Sequence, residues 1–340
     1  MQMFNVLLTS VGRRSYLVKY FQDALNGCGF VHAANSTSQN PAFRIADKYT
    51  VTPLIYSNDY IPFLLDYCQK NEIKLIVPLF DADLPILALN ANLFAEVGVF
   101  VLVSDMEVVN CCNDKWETAS FLTKNGIAHP KTFIELDSAL TALTSGDLMF
   151  PVIIKPRRGM GSLGIFEAGC VEELSILYRK AENIVLSSYI QYEAKQDKSH
   201  IIIQQKINGA EYHLDVINDL NGAYQNTIVK KKLAMRSGET DCAQIITNSD
   251  LHDMGRKLSM LLKHKGNLDV DVLQDSGTSL VLEMNARFGG GYPFSHVAGV
   301  DLPKAIIRWL QGLAVDKNEL LTAIPGTIAH KDIEIVPISF

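Results

Sequence analysis

Several classes of protein are excluded by what this 340-residue sequence lacks. It has no block of basic residues: Lys230, Lys231 and Lys232 form its densest basic cluster, and 31 basic against 37 acidic residues leave a net charge of −6. A phosphate backbone needs a concentrated Lys/Arg surface, so nucleic acid is not an expected partner. No stretch approaches the ~20 apolar residues of a membrane-spanning helix. The first residues carry no basic segment, and the apolar run at 6–8 is too short for a secretion signal. Cys28, Cys68, Cys111, Cys112, Cys170 and Cys242 include no C-x-x-C pair and no grouping with zinc spacing. They read as reduced thiols, and a cytoplasmic location is expected. Internal repeats and low-complexity linkers are also missing.

What is present suits two or three lobes, since the length exceeds one compact core. Hydrophobic residues make up 48% and charged residues 20%, a globular profile. Residues 4–9 (FNVLLT), 30–35, 49–52, 74–78 (KLIVP) and 99–103 read as strands, separated by helical patterns over 16–25, 60–71 and 84–95. That alternation predicts an open parallel α/β lobe over 1–105. A helix over 113–125 follows. Strands at 132–134, 152–155, 164–167 and 201–205, with a helix over 172–182, give a small α+β piece over 106–200. Beyond it, strands at 212–218, 223–230, 269–274 and 280–285 predict an antiparallel sheet, covered by helices at 250–263 and 303–313.

Three segments carry chemistry. Residues 153–165 (IIKPRRGMGSLGI) place a lysine at a strand end, before a loop rich in glycine. Glycines let backbone N–H groups approach phosphate oxygens, and the lysine supplies a point charge. A hairpin that merely turns has the same pattern. Residues 282–291 (LEMNARFGGG) put Glu283, Asn285 and Arg287 on one strand face, because side chains repeat every second residue. Desolvating these groups requires partners, and Mg2+ with phosphate supplies them. Asp269 and Asp271 lie two apart on an earlier strand, and Asp271 offers the ion another oxygen. A solvated Glu–Arg pair is the alternative, but the preceding Leu280, Val281 and Leu282 favour burial. Residues 201–212 (IIIQQKINGAEY) are an apolar strand ending in an Asn-Gly turn.

The order of these segments, with Asn113-Asp114-Lys115 ahead of a helix, resembles the ATP-grasp superfamily. The nearest branch is that of carbamoyl-phosphate synthetase large-subunit halves, biotin carboxylase and D-alanine–D-alanine ligase. The resemblance covers nearly the whole chain and implies a fold: an open parallel pre-ATP-grasp α/β lobe (1–105), then a two-lobed α+β ATP-grasp domain. The latter divides into a central lobe with the glycine-rich flap (106–200) and a C-terminal lobe with the Mg/ATP site (201–340). It also implies ATP and Mg2+ as cofactors, with Mn2+ as a substitute ion, and small-molecule carboxylate and amine substrates.

By the same resemblance, Lys115 and Lys155 contact ATP phosphates, beneath a loop containing Gly159, Gly161, Ser162 and Gly164. Gln205, Lys206 and Ile207 line the adenine pocket, and Glu211 accepts from the ribose. Asp271, Glu283 and Asn285 hold Mg2+, and Arg287 stabilises the transferring phosphoryl group beside Lys155. Gln205 departs from the glutamate common in relatives, and Asp271 stands where they have Glu, Gln or Asp; both keep an oxygen acceptor. The implied reaction is carboxylate–amine ligation through an acyl phosphate. Bicarbonate activation and a non-catalytic nucleotide-binding module are the alternatives, the last opposed by the retained Arg287. Homodimerisation through the first lobe is a further expectation. Three sets of residues stay open: one of Lys230, Lys231, Lys232 or Arg236 grips an acyl phosphate or lies in a solvated turn. His213 lines an acceptor site or simply packs. Arg13 and Arg14, after the first strand, bind an anionic substrate or pair with acidic neighbours. Residues 289–291, with Tyr292, Pro293, Ser295 and His296, are expected to shape the substrate pocket.

Overall fold

A computed structural model describes residues 3–195 and 197–338 of the chain. The first part alternates β1 (Asn5–Thr9), α1 (Ser15–Leu25), β2 (Val31–Asn35), β3 (Lys48–Val51), α2 (Tyr60–Lys70), β4 (Ile73–Pro78), α3 (Asp83–Leu89), α4 (Ala91–Glu96) and β5 (Phe100–Val101). The strands form one sheet, β3-β2-β1-β4-β5, parallel throughout as expected. Central parallel strands need cover on both faces, and every residue of β1 is buried. Leu7 and Ile76 pack on Tyr60, Leu64 and Leu84. Val6, Leu8 and Val77 face the opposite way, into a core shared with α1 and with Phe288, Ile306 and Ile307 from the end of the chain. The helix expected over 84–95 is broken at Asn90, whose side-chain amide donates to Ile86 O at 2.8 Å. Such side-chain to backbone bonds compete with helix continuation.

α5 (Met106–Asn113) leads into α6 (Lys115–Lys124). Asp114 divides them, because its carboxylate accepts from the N–H groups of Trp116 and Glu117 and so caps a new helix. The central sheet contains β6 (Thr132–Phe133), β7 (Val152–Pro156), β8 (Phe166–Ala168) and β9 (Ile201–Gln205), in the antiparallel order β6-β9-β7-β8. It is covered by α7 (Leu136–Ser145), α8 (Val171–Ser187) and α9 (Ile190–Ala194), through Ala139, Leu174 and Ala181 among others. This sheet therefore continues five residues past the division at 200 read from the sequence, since β9 pairs with β6 and β7.

The last sheet is antiparallel, in the order β14-β13-β10-β11-β12-β15. Its strands are β10 (Ala210–Asn218), β11 (Tyr224–Arg236), β12 (Glu239–Ile245), β13 (Gly266–Asp275), β14 (Thr278–Asn285) and β15 (Ile328–His330). Leu214, Val216, Val270 and Val272 pack one face against Leu251 and Leu258 of α10 (Ser249–Leu262). The chain also forms α11 (Tyr292–Val297), α12 (Leu302–Leu310) and α13 (Lys317–Leu320). Lys230, Lys231 and Lys232 lie inside β11 and not in a turn. Among the described residues no helix is long and apolar enough to cross a membrane.

Candidate active site

The glycine-rich loop leaves β7 with Gly159, Gly161, Ser162 and Gly164 all at positive φ (98°, 70°, 60° and 71°). Three glycines in four such positions explain the composition. The base of the loop is fixed by charge. Buried Asp114 receives Nε of Arg157 at 2.8 Å and Nη2 of Arg158 at 3.0 Å. Arg157 O accepts from the Lys115 backbone N–H at 3.0 Å, and Lys115 Nζ donates to Gly159 O at 2.8 Å. At its far side the loop meets the turn joining β11 to β12, where a Cβ on Gly238 would stand 2.2 Å from Ser162 Oγ. The loop thus bridges the central and C-terminal sheets.

Beneath the loop, Lys155 is buried, and burial pushes its ammonium down to about 8. Glu283 and Asp271 resist that shift, while nearby Lys115 adds to it. Lys115 Nζ stands 3.9 Å from a Glu283 oxygen. Two lysines from different elements therefore converge on the carboxylate of β14. Such a pair is suited to an anion able to stabilise both charges.

Strand register extends this site across the last sheet. Lys230, His213, Asp271 and Glu283 are successive cross-strand partners, and Asp215, Asp269 and Asn285 form the adjacent row. Asn285 Nδ2 donates to Glu283 Oε1 at 3.3 Å. Lys232 Nζ lies 2.9 Å from Asp271 Oδ1, and His213 Nδ1 lies 3.2 Å from the same oxygen. Burial and Lys230 oppose the His213 imidazolium, but Asp269, Asp215 and Asp271 outweigh them and raise it above its ordinary value. Lys230 is fully buried; it pairs with Asp215 and donates to Ser295 Oγ at 2.9 Å. The solvated-turn reading of Lys230 is thereby overturned, whereas Lys231 and Arg236 are exposed. His213 is an ion-pair partner inside the network. A Cβ at Gly291 would come within 2.6 Å of its ring, and one at Gly289 within 2.3 Å of Asp269, so residues 289–291 lie directly against the row.

Arg287 follows two residues after β14 and is buried. Its Nη1 donates to Asp269 Oδ2 at 2.9 Å and its Nη2 to Asp81 Oδ2 at 2.9 Å. Nε is 2.7 Å from Asp81 Oδ1. Asp81 belongs to the turn after β4 in the first lobe, so the first lobe and the last sheet share this charged centre.

The family description "PylC-like, N-terminal domain" matches residues 6–102, and "ATP-grasp in the biosynthetic pathway with Ter operon" matches residues 197–329. Together with the shared fold reported below, these matches support an ATP-grasp enzyme. Carbamoyl phosphate synthase arginine-specific large chain of Bacillus subtilis is 21% identical over 290 residues, covering 83% of this chain and 26% of that relative. The chain therefore spans about a quarter of the length of that curated relative. Its fold is shared with the biotin carboxylase domain of Hydrogenobacter thermophilus 2-oxoglutarate carboxylase, in complex with MgADP, ADP and bicarbonate. That similarity has a TM-score of 0.71 at 18% identity and covers 93% of this chain and 71% of the other. L-amino acid ligase from Bacillus licheniformis gives a TM-score of 0.70 at 17% identity, covering 96% and 79%.

The remaining candidates have other partners. Gln205 ends β9, and its Oε1 accepts from the Lys131 N–H at 3.4 Å. Lys206 Nζ pairs with Glu167 of β8 at 2.8 Å, with Ile207 beside it half-buried. Glu211 is exposed on β10, 3.6 Å from Lys232 Nζ. Arg13 is exposed, while Arg14 is half-buried beside Tyr16. Tyr292 is a buried packing group that donates to Val300 O at 2.9 Å, Ser295 is buried within the charged row and donates to Asp215, and His296 stacks on Tyr20 at 3.6 Å between ring centroids. Asp81 escaped the sequence reading, and Asp114 entered it only as part of the segment 113–115, with no role of its own. The available signals were the position of Asp81 at a parallel-strand C-terminus and of Asp114 just ahead of a helix.

Proposed function

We propose that the chain binds MgATP between the central and C-terminal sheets and transfers the γ-phosphoryl group to a carboxylate. The resulting acyl phosphate is then attacked by an amine, releasing phosphate and forming a C–N bond. The observation that carries this reading is the convergence of buried Lys155 and of Lys115 on Glu283, below a glycine-rich loop. Phosphoryl transfer depends on positioning and charge neutralisation, and this chain supplies both. Lys115 and Lys155 bind the polyphosphate, and the loop containing Gly159, Gly161, Ser162 and Gly164 covers it from water. Gln205, Lys206 and Ile207 receive the adenine, and Glu211 the ribose.

The donors Asp271, Glu283 and Asn285 fit Mg2+, which takes oxygen ligands. The Glu283–Asn285 bond and the neighbouring Asp271 bring these oxygens onto one sheet face. When bound, the ion neutralises charge on the phosphates. Mn2+, which the same carboxylate and amide oxygens suit, would substitute for it. Arg287 directs its remaining Nη2 hydrogen at the transferring group.

Phosphate release from MgATP over a panel of amino acids, alone and in pairs, tests the proposal. Release that requires two substrates supports the ligase. Release with bicarbonate alone would replace it with bicarbonate activation, and tight ATP binding without release under any condition would leave a binding module.

A further inference from the structure

The geometry points to Asp81 as a positioning residue that sets Arg287 for phosphoryl transfer from the first lobe, outside the two sheets that enclose the nucleotide. The inference rests on the reading above. Arg287 has five N–H donors. Two on Nη1 go to Asp269 Oδ2 at 2.9 Å and to Phe288 O at 3.3 Å, and one on Nη2 goes to Asp81 Oδ2 at 2.9 Å. Nε faces Asp81 Oδ1 at 2.7 Å, yet neither atom has a well-aligned hydrogen-bond partner. One Nη2 hydrogen remains for a ligand, and its direction is set by how Asp81 holds the other edge of the plane.

Asp269, from within the same sheet, is shared between Arg287 and His213, whose Nε2 lies 3.0 Å from its Oδ1, whereas both carboxylate oxygens of Asp81 face Arg287. Asp81 is itself held: Asn113 Nδ2 donates to its backbone carbonyl at 2.8 Å. Its neighbour Phe80 packs on Tyr189, with ring centroids 5.6 Å apart. The Tyr189 hydroxyl lies against the glycine-rich loop, 3.8 Å from where a Cβ on Gly159 would stand. One turn of the first lobe thus touches both Arg287 and the support of the loop.

Aluminium fluoride with MgADP mimics the transferring phosphoryl group, so the test needs no knowledge of the substrates. Calorimetric Kd values for MgADP, with and without fluoride, would be measured on the full chain and on Asp81→Asn and Asp81→Glu. In the unaltered chain fluoride should tighten MgADP binding by about tenfold or more, because such mimics exploit contacts made in the transition state. Asp81→Asn should keep the MgADP Kd within about threefold while losing most of that gain. Asp81→Glu, which restores the charge at a displaced position, should recover part of it. An undiminished gain in Asp81→Asn overturns the inference. So does a loss of MgADP affinity and thermal stability in parallel in both variants, which marks a structural role. No fluoride effect in the unaltered chain overturns the phosphoryl-transfer reading itself.

Discussion

Buried carboxylates are handled in opposite ways at the two ends of this molecule. In the first lobe Asp83 accepts from Thr9 Oγ1 at 2.8 Å and from the Tyr60 hydroxyl at 3.1 Å. Burial pushes its carboxyl up to about 6, against those hydrogen bonds. On the last sheet burial also opposes ionisation of Asp215 and Asp271. There Lys230 beside one and Lys232 beside the other hold both carboxyls well below the usual range. The first arrangement satisfies a polar group inside an apolar lobe. The second keeps several full charges desolvated in cross-strand rows, which contributes little net stability. Charge retained at such a cost is what the proposed phosphoryl-transfer site requires.

Lys155→Met tests the difference most severely. It should lower ATP turnover by on the order of 10²–10³, the loss typical when one transition-state charge contact is removed. Melting temperature should hold or rise, because the substitution removes a desolvated ammonium whose charged form the fold already disfavours. Turnover within a few-fold of the unaltered chain would remove Lys155 from the site. A large fall in melting temperature would mean that the charged face stabilises the fold.

The first lobe should respond in the reverse manner. Leu7 is fully buried on the central strand β1. Leu7→Ala should destabilise the chain by about 2–5 kcal/mol, through lost transfer energy and the cavity left behind. MgATP affinity measured well below the melting temperature should stay close to that of the unaltered chain. Denaturant unfolding and calorimetry on one preparation check both halves. An affinity that fell together with stability would tie the nucleotide site to first-lobe packing more tightly than the contacts of Asp81 imply.

The two regions also differ in how well the sequence displays them. Runs such as residues 75–78 announce the parallel sheet, because both faces are buried and every residue is apolar. Period-two spacing displayed Glu283 and Asn285, and the glycines displayed the loop. β12 was missed because its sequence ETDCAQI has no apolar alternation, although β11 and β15 pair with it. Lys230 resembled a surface charge because its partner Asp215 belongs to the neighbouring strand. Asp81 was the least accessible of these residues. Its partner Arg287 lies 206 residues further along the chain, and no local pattern encodes a contact closed by the docking of two lobes.

The smallest expected effect is also the most direct measure of charge in the cleft. Lys155 has a folded value of about 8 against an ordinary 10.5, so the ligand-free chain loses this proton while the unfolded chain still holds it. Between those values the unfolded state binds more protons, and this group makes the ligand-free fold more stable as pH rises. MgATP should have the opposite dependence. Polyphosphate favours the ammonium, so binding above pH 8 must draw a proton from solution. The Kd should weaken by up to about tenfold per pH unit there and be flat, as far as this group is concerned, near pH 7. Calorimetry in buffers of different ionisation enthalpy reads the proton uptake directly. In Lys155→Met the uptake above pH 8 should vanish even if weak MgATP binding survives. Uptake that persisted in that variant would assign the titration to another group.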